Sequence, residues 1–191
     1  MKILTLLGSP RRQGNSATLA DRFVTAAERR GATNETVFLN SLNSRGCQAC
    51  YACKKQAAAC VVQDELAPVL AAVHQADLLV LATPVYYGDI TAQLKGFIDR
   101  TFAYLTPDYL TAAHPCRLPA GKKLLLIQTQ GHPDPALFGD IFPRYETFLK
   151  WYGFSDIRLL RACGVGTGGT TTVSAEQLAE AERLAAAMIQ G

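Results

Sequence analysis

The sequence predicts a three-layer α/β fold, in which helices cover both faces of a parallel β-sheet. Two patterns support this prediction. Short apolar stretches alternate with amphipathic stretches of helical spacing along the chain. The apolar stretch Leu78 to Ala82 is also continuous, as in strands that are buried on both faces of a sheet. Each right-handed crossover through a helix returns the chain to the same sheet in the same direction, so the strands are expected to be parallel.

The first half of the chain contains three predicted strands and two predicted helices. The first strand ends at a Gly-Ser-Pro turn. The helix after it has Leu19 and Phe23 on one face, with Asn15 or Ser16 as its cap. An irregular connection of about twenty residues follows the second strand, and its length indicates a functional loop. These elements are the strands Ile3 to Leu7, Glu35 to Leu39 and Leu78 to Ala82, and the helices Ser16 to Arg30 and Asp64 to Gln75.

The second half continues the same alternation. Its predicted elements are the helix Ala92 to Leu105, the strand Leu124 to Gln128, a helix with its core at Tyr145 to Tyr152, the strand Ile157 to Cys163 and the capped helix Ser174 to Ile189. The Gly/Thr-rich stretch Gly164 to Thr172 is too short to separate two domains. We therefore expect a single domain over residues 1–191, with a cysteine-rich insertion at about residues 44–62.

Composition excludes several classes of partner. The net charge is only +3 and charged residues make up 18% of the chain, so no nucleic-acid-binding or membrane-binding surface is indicated. No apolar run approaches the roughly 18 to 20 residues that span a bilayer. The N-terminal apolar stretch is shorter than a signal sequence requires, which predicts a cytoplasmic protein. Because thiols stay reduced there, clustered cysteines indicate metal or redox use.

The loop after the first strand, G-S-P-R-R-Q-G-N-S, indicates a phosphate site. It leads into a helix N-terminus, which carries unpaired N–H groups and a partial positive charge. Its spacing matches neither the Walker A motif nor G-x-G-x-x-G, which disfavours ATP and a Rossmann NAD site. A monophosphate fits better, and the alternative is a helix cap with solvated arginines. The candidate phosphate ligands are Ser9, Arg11, Asn15 and Ser16.

The loop after the third strand, T-P-V-Y-Y-G-D-I, is suited to the edge of a flat heterocycle. Its proline fixes the strand exit, its glycine allows close backbone approach, and Tyr86 or Tyr87 can pack on a ring. A tyrosine pair of this kind is equally typical of core or interface packing. Because this loop and the phosphate loop open at the same sheet edge, together they favour flavin mononucleotide (FMN) as the ligand.

Residues Met1 to Phe102 carry a specific resemblance. The segments G-S-P-R-R-Q-G-N-S-A-T-L and A-D-L-L-V-L-A-T-P-V-Y-Y-G-D-I-T-A-Q-L-K-G-F-I-D-R-T-F, with the cysteine cluster, resemble the flavodoxin-like NAD(P)H-dependent FMN reductase superfamily. Within it they resemble the iron–sulfur flavoprotein branch. The C-terminal third of the chain matches only in its rhythm of strands and helices.

The resemblance implies a flavodoxin-like sheet with strand order 2-1-3-4-5 and non-covalently bound FMN. It also implies a homodimer or homotetramer, in which a neighbouring subunit helps to form the pocket. The phosphate ligands would be the four residues of the first loop. The isoalloxazine ring would be bordered by Pro84, Val85, Tyr86, Tyr87, Gly88 and Asp89, with a contribution from Gln130 and Gly131.

Four of the six cysteines are Cys47, Cys50, Cys53 and Cys60. Three thiolates at successive C-x2-C intervals can surround one corner of a polynuclear centre, as in ferredoxins. The resembled branch has this compact pattern, so a [4Fe–4S] cluster is the leading interpretation. A zinc site is the second, although such sites usually pair two knuckles across a longer spacer. Free or disulfide-bonded thiols are the third.

The expected function is FMN-dependent electron transfer between a reduced donor, either NAD(P)H or ferredoxin, and an acceptor, through the cluster where it is present. No acid or base residue is assigned, because FMN supplies the chemistry. Two alternatives stay open: a cluster-free NAD(P)H-dependent reductase of free flavin or quinone, and a non-enzymatic FMN electron carrier.

Overall fold

The computed structural model describes residues 1–166 and 172–189, so most of the Gly/Thr-rich stretch lies outside the described residues. Five strands and five α-helices alternate along the described chain. The strands are β1 (Lys2–Leu7), β2 (Thr33–Phe38), β3 (Leu78–Pro84), β4 (Lys122–Thr129) and β5 (Phe154–Ala162). The α-helices are α1 (Asn15–Glu28), α2 (Leu66–Ala72), α3 (Ala92–Arg100), α4 (Ile141–Trp151) and α5 (Ala175–Ile189). Short 3-10 helices occupy Leu39–Ser41, Ala52–Lys54 and Thr101–Tyr104.

The five strands form one parallel sheet in the order β2-β1-β3-β4-β5. This order confirms the predicted three-layer fold and its flavodoxin-like topology. β3 lies at the centre, and its residues are buried up to its last position, which explains its continuous apolar sequence. The chain winds from β1 to β2 and then returns past β1 to β3. The winding direction therefore switches between β1 and β3, where ligands bind in sheets of this kind.

Alternate residues of the strands build two hydrophobic cores. Leu4 and Leu81 belong to the core that α2, α3 and α4 cover on one face of the sheet. Ile3 and Val80 belong to the core that α1 and α5 cover on the other face. Because successive side chains of a strand point to opposite faces, each central strand contributes to both cores. The sheet is thus held rigidly between two helical layers, and its carboxyl edge is left to the loops.

Two predicted helices are shorter in the structure. The helix predicted over 64–75 is the α-helix Leu66–Ala72, and Asp64 precedes it because its carboxylate is held by the Arg100 side chain at 2.7 Å. The helix predicted over 92–105 ends as an α-helix at Arg100 and continues as a 3-10 helix. By contrast, α4 extends further toward the N-terminus than predicted, because it begins about one turn before the predicted core at Tyr145 to Tyr152.

The final described helix, α5, begins with the reciprocal cap that its sequence predicts. The Gln177 backbone N–H donates to Ser174 Oγ at 3.2 Å, and the Ser174 N–H donates to Gln177 Oε1 at 2.9 Å. This helix has 15 residues, whereas a membrane span needs about 20. None of the helices in the described ranges has the length and apolar character to cross a bilayer.

Candidate functional site

The loops that leave β1, β3, β4 and β5 border a cavity of about 230 Å³ at the carboxyl edge of the sheet, which we call the sheet-edge cleft. Nine of the twelve predicted cofactor residues line it, while Tyr87, Gly88 and Asp89 do not. The nine are Ser9, Arg11, Asn15, Ser16, Pro84, Val85, Tyr86, Gln130 and Gly131. Four further lining residues were not predicted from the sequence: Gly14, Thr129, Val165 and Gly166.

Hydrogen bonds between neighbouring strand exits fix the shape of the cleft. The Gly8 N–H donates to Ala82 O at 2.8 Å, and the Val85 N–H donates to Thr129 O at 2.7 Å. The buried Thr91 hydroxyl, which caps α3, donates to Gly8 O at 2.7 Å. Thr91 therefore joins the loop after β1 to the start of α3. Its role was missed because the partner lies 83 residues away in the sequence.

The N-terminus of α1 gives one side of the cleft an affinity for anions. Gly14 is the N-cap and makes no side-chain capping bond, so the interpretation of Asn15 or Ser16 as the cap is wrong. The first N–H groups of a helix have no intrahelical partner, and the first turn of α1 contains no acidic residue. Ser9 and Ser16 are buried hydroxyls here, and Ser9 Oγ accepts a hydrogen bond from the Arg11 N–H at 3.1 Å.

Asn15 is also engaged by the segment that follows β5. Its Oδ1 accepts a hydrogen bond from the Thr172 N–H at 2.8 Å. Gly166 has a φ of 89°, and a Cβ atom on it would lie 2.7 Å from Asn15 Nδ2, so a side chain here would strain the backbone and displace the Asn15 amide. The neighbouring Arg12 stacks over the Phe38 ring at 4.2 Å and does not line the cleft.

The turn Tyr86 to Asp89 projects from the cleft rim. Backbone bonds between Tyr86 and Asp89 close it, and both central residues have positive φ, 52° at Tyr87 and 74° at Gly88. Tyr86 lines the cleft, whereas Tyr87 is fully exposed. The Asp89 carboxylate accepts a hydrogen bond from the Tyr145 hydroxyl at 2.9 Å, so it anchors the turn to α4. Burial, followed by the bond to Asp89, raises the pKa of Tyr145.

The Gln130 side chain organises the loop after β4. Its Oε1 accepts from Arg161 Nη2 at 2.6 Å and Nε at 3.1 Å, and its Nε2 donates to the carbonyls of His132 and Asp134 at 2.9 and 3.0 Å. Arg161 Nη1 also donates to Pro135 O at 2.7 Å. Because all its polar atoms have protein partners, Gln130 shapes the cleft wall chiefly by holding this loop.

These features fit a mononucleotide. The helix N-terminus, the buried hydroxyls of Ser9 and Ser16 and the Arg11 side chain suit a phosphate dianion. Pro84, Val85 and Tyr86 supply an apolar and aromatic wall for a planar ring.

All four clustered cysteines line a second cavity of about 280 Å³, which we call the cysteine cavity. Cys47 and Cys50 are exposed, Cys53 and Cys60 are half-buried, and none forms a disulfide. Within residues 1–166 and 172–189, no three histidine, cysteine or acidic side chains are grouped closely enough to hold a metal ion. The structure thus brings the predicted cluster ligands to one cavity without showing a metal site.

Two cations anchor the cysteine segment, residues 46–61, to the chain that follows α3. Lys54 Nζ donates to Phe102 O and Leu105 O at 2.5 and 2.6 Å and lies 4.0 Å from the Phe102 ring centroid. Burial lowers the pKa of Lys54, although the neighbouring Cys53 opposes that shift. Arg117 donates to Leu105 O at 2.6 Å and to Cys53 O at 3.2 Å. The segment is therefore attached to the body of the protein through carbonyl groups.

A third cation, Arg100, is the largest fully buried side chain and lines the cysteine cavity. Its Nη1 donates to both Asp64 oxygens at 2.7 Å. Burial alone would lower the pKa of Arg100, but hydrogen bonding to Asp64 and the proximity of the Cys60 sulfur outweigh it, so that pKa is raised. Burial likewise favours protonated Asp64, yet the bond from Arg100 prevails and the pKa of Asp64 is lowered.

The two cavities share no lining residue, and α3 connects the loop after β1 to a side chain that lines the cysteine cavity. Thr91, at the start of α3, contacts Gly8 at the sheet-edge cleft, and Arg100 is the last residue of the helix. At a rise of about 1.5 Å per residue, these two positions are about 14 Å apart. One rigid element therefore sets the separation between the two candidate sites.

Solved structures share this fold over nearly the whole chain. An FMN-dependent NADH-azoreductase from Bacillus anthracis, solved in complex with FMN, superimposes with a TM-score of 0.72 at 15% identity, covering 99% of this chain and 100% of that one. An NAD(P)H:quinone oxidoreductase from Methanothermobacter marburgensis has a TM-score of 0.75 at 19% identity, covering 98% of this chain and 96% of that one. At such identities the likeness establishes the fold alone.

Each of several curated sequence relatives matches somewhat more than half of the chain. An iron–sulfur flavoprotein from Archaeoglobus fulgidus is 36% identical over 104 residues, which are 54% of this chain and 47% of the relative. One from Methanosarcina thermophila is 36% identical over 53% of this chain and 52% of its own length. An FMN-dependent NADH:quinone oxidoreductase from Delftia acidovorans is 32% identical over 59% of this chain and 55% of its own length. The chain spans about half the length of these relatives.

The family profile described as NADPH-dependent FMN reductase matches residues 1–134. That range contains the predicted phosphate loop after β1, the predicted ring loop after β3 and all four clustered cysteines. The expected resemblance is confirmed by this match together with the iron–sulfur flavoprotein relatives. Since the profile covers more than half of the 191 residues, the chain belongs to the NADPH-dependent FMN reductase family.

Proposed function

We propose that this protein is an FMN-dependent oxidoreductase that transfers electrons between a reduced donor, NAD(P)H or ferredoxin, and an acceptor. FMN would bind in the sheet-edge cleft and a [4Fe–4S] cluster in the cysteine cavity. The observation that carries the proposal is the convergence of a helix N-terminus, buried hydroxyls and an aromatic wall in one cleft at the switch point of the sheet. Family membership and the FMN named with one structural neighbour support it.

FMN, when bound, supplies hydride and single-electron chemistry. The chain supplies position and electrostatics. Ser9, Ser16 and the α1 amides would hold the phosphate, while Arg11 would neutralise part of its charge. The Pro84 to Tyr86 wall would exclude water from the ring. Asp89 and Gln130 would act indirectly on the cofactor, because their side chains hold the two loops that border the cleft.

The cysteine segment supports the cluster part of the proposal. Its four thiols border one cavity whose other walls include Val61, Val62 and Phe102, so the ligands would be shielded from water on one side. Ala49 and Tyr51 have φ of 49° and 55°, a left-handed conformation that costs about 1–3 kcal/mol at residues other than glycine. Such strain between cysteines favours a segment shaped for a ligand over an ordinary surface loop.

The test uses anaerobically purified protein. We expect flavin absorbance, a broader absorbance beneath it that bleaches on reduction, and about four iron and four sulfide per chain. Stopped-flow mixing with NADH, NADPH and reduced ferredoxin then identifies the donor by the rate of flavin bleaching. Protein that takes up no added FMN under these conditions would refute the proposal as a whole.

A cluster-free NADH:quinone reductase is the second candidate function. The Delftia relative of that name and the lack of a grouped metal site within the described residues favour it. It predicts flavin without iron or sulfide, together with NADH-dependent reduction of a quinone. Flavin and cluster without reduction by any pyridine nucleotide would instead indicate the electron-carrier alternative.

The oligomeric state stays a prediction, as does the cytoplasmic location expected from the sequence. A homodimer or homotetramer is supported by exposed aromatic residues, which include Tyr87 at the cleft rim and the edge-to-face pair Phe148 and Trp151 on α4. Aromatic residues are enriched in subunit interfaces. Light scattering of the purified protein measures the subunit count directly, and a monomer at micromolar concentration would contradict this prediction.

A further inference from the structure

Both ends of the cysteine segment meet at one buried side chain. Arg45 immediately precedes the segment, and its carbonyl accepts a hydrogen bond from Arg100 Nη1 at 3.3 Å. Val62 immediately follows the segment, and its carbonyl accepts from Arg100 Nη2 at 2.8 Å. Asp64, which is itself bound by Arg100, accepts a hydrogen bond from the Arg45 N–H at 2.9 Å. One guanidinium and one carboxylate thus close the loop that carries the four thiols.

The Arg100 side chain also brings a hydrogen-bond donor without an acceptor to the cysteine cavity. Arg100 is 1% exposed and lines the cysteine cavity together with Cys60. Its Nε is buried and has no hydrogen-bond partner among the described residues. A buried N–H group without a partner is destabilising, because it has lost its hydrogen bond to water. A thiolate or sulfide sulfur in the cavity is the kind of acceptor that would satisfy it.

We infer that Arg100 is a positioning residue of the cysteine cavity: it closes the two ends of the cysteine segment and holds a fixed positive charge beside an anionic, thiolate-ligated group. The inference rests on the proposed function for the identity of that group. Its positioning part does not, because the contacts to Arg45 and Val62 are made between protein atoms alone. A lysine at this position keeps the charge but lacks the planar fork that reaches several acceptors at once.

Positioning is tested in metal-free protein by hydrogen exchange. In Arg100→Lys, amides of residues 44–63 should exchange at least about tenfold faster, since breaking a buried ion-pair network is strongly destabilising locally. Residues 84–91 and FMN affinity should be unchanged. Arg158→Lys is the control for the substitution itself, because Arg158 pairs with Asp156 on β5 but is partly exposed and, among the described residues, has no contact with the cysteine segment. Wild-type exchange at 44–63, or equal acceleration at 84–91, would overturn the inference.

The charge is tested by the midpoint potential of the reconstituted cluster, followed by electron paramagnetic resonance. Removing the cation in Arg100→Gln should shift the potential to a more negative value, because the reduced cluster carries one more negative charge. Asp64→Asn leaves Arg100 uncompensated and should shift it to a more positive value. If Arg100→Gln fails to fold, Asp64→Asn still tests the charge: Asp64 does not line the cavity, and a shift to a more negative value, or no shift, would contradict the electrostatic role of Arg100.

The outcomes separate the two proposals. Shifts of the same sign, or none, would overturn the electrostatic role of Arg100, since a purely structural defect has no reason to reverse sign between the two variants. Wild-type protein that takes up no iron or sulfide would instead refute the cluster part of the proposed function. In that case hydrogen exchange in the metal-free chain still decides whether Arg100 closes the segment.

Discussion

Gly8 is the residue at which the loop after β1 packs most closely against α3. A Cβ at this position would lie 2.9 Å from Leu94 Cβ and 2.9 Å from Thr91 Oγ1, neither of which can move freely. We expect Gly8→Ala to destabilise the protein by about 1–3 kcal/mol, as overpacking does, and to weaken FMN binding because the loop is displaced. Urea unfolding and a flavin fluorescence titration measure the two effects.

Gly96 provides the matched control on the same helix. It lies inside α3, and a Cβ there would meet nothing within 4 Å. Gly96→Ala should therefore stabilise the protein by about 0.5–1 kcal/mol, because alanine loses less backbone entropy in a helix. Equal effects of the two substitutions would show that the space around Gly8 is not limiting.

Asp64 makes stability depend on acid pH. Its pKa is lowered in the folded protein, chiefly because the bond from Arg100 outweighs burial. A lowered folded pKa contributes stability above the ordinary carboxyl pKa of about 3.9, and this contribution is lost as the pH falls toward the folded pKa. We expect the free energy of unfolding to fall more steeply between about pH 5 and pH 3 in the wild type than in Asp64→Asn. Parallel pH profiles of the two proteins would contradict this account.

Sequence reasoning found the loops of the cleft but not the partners of their side chains. Asn15 was predicted from the phosphate loop and Asp89 from the family resemblance, and the structure engages their side chains with Thr172 and Tyr145. These partners lie 157 and 56 residues away. Spacing along one chain predicts which residues share a local element, whereas contacts of this length depend on how the elements pack.

At the scale of elements, the loop after β4 depends on Gln130. Replacing this residue by alanine leaves Arg161 and the carbonyls of His132 and Asp134 without their partner. We expect Gln130→Ala to lower FMN affinity about tenfold, because losing buried hydrogen bonds costs about 1–3 kcal/mol and frees the cleft wall. Gln75→Ala, at an exposed position outside the cleft, is the control for general loss of stability. FMN affinity equal to that of the wild type would show that the loop holds its shape without Gln130.

The cysteine segment depends in the same way on Lys54. In Lys54→Met the carbonyls of Phe102 and Leu105 lose a charged donor, and we expect alkylation of the clustered cysteines in metal-free protein to become several-fold faster. Lys55→Met changes an adjacent, exposed lysine and should leave the rate unchanged. Mass spectrometry after timed iodoacetamide treatment gives both rates. Equal rates in the two variants would mean that the anchor does not restrain the segment.

Elements with a clear hydrophobic period were predictable, and the cysteine segment was not. β3 and α1 follow from apolar spacing alone. The segment has no such period, so the left-handed residues Ala49 and Tyr51 and the anchoring by Lys54 had no sequence signal. The end of α3 was likewise overestimated, because a 3-10 turn continues the same apolar pattern.

At the scale of the whole molecule, the alternation of strands and helices predicted the layers, whereas the strand order rested on family resemblance. Helical crossovers alone permit several orders of a parallel sheet. The order matters for function because it places the switch point between β1 and β3, and hence the sheet-edge cleft. It also directs α3 from that cleft to the cysteine cavity, so that the two candidate sites are neighbours without overlapping.

That arrangement predicts that the two sites can be removed independently. Cys47→Ser removes one thiol of the cysteine cavity and should abolish iron and sulfide uptake, with FMN affinity unchanged, because the two cavities share no lining residue. Arg11→Gln removes a charge beside the predicted phosphate and should lower FMN affinity about tenfold, as expected for a lost charge-assisted bond, with iron and sulfide uptake unchanged. Flavin titration and iron and sulfide assays on both variants complete the comparison. If either substitution impaired both sites, α3 would transmit changes between them, and the cofactors could not be assigned to separate cavities.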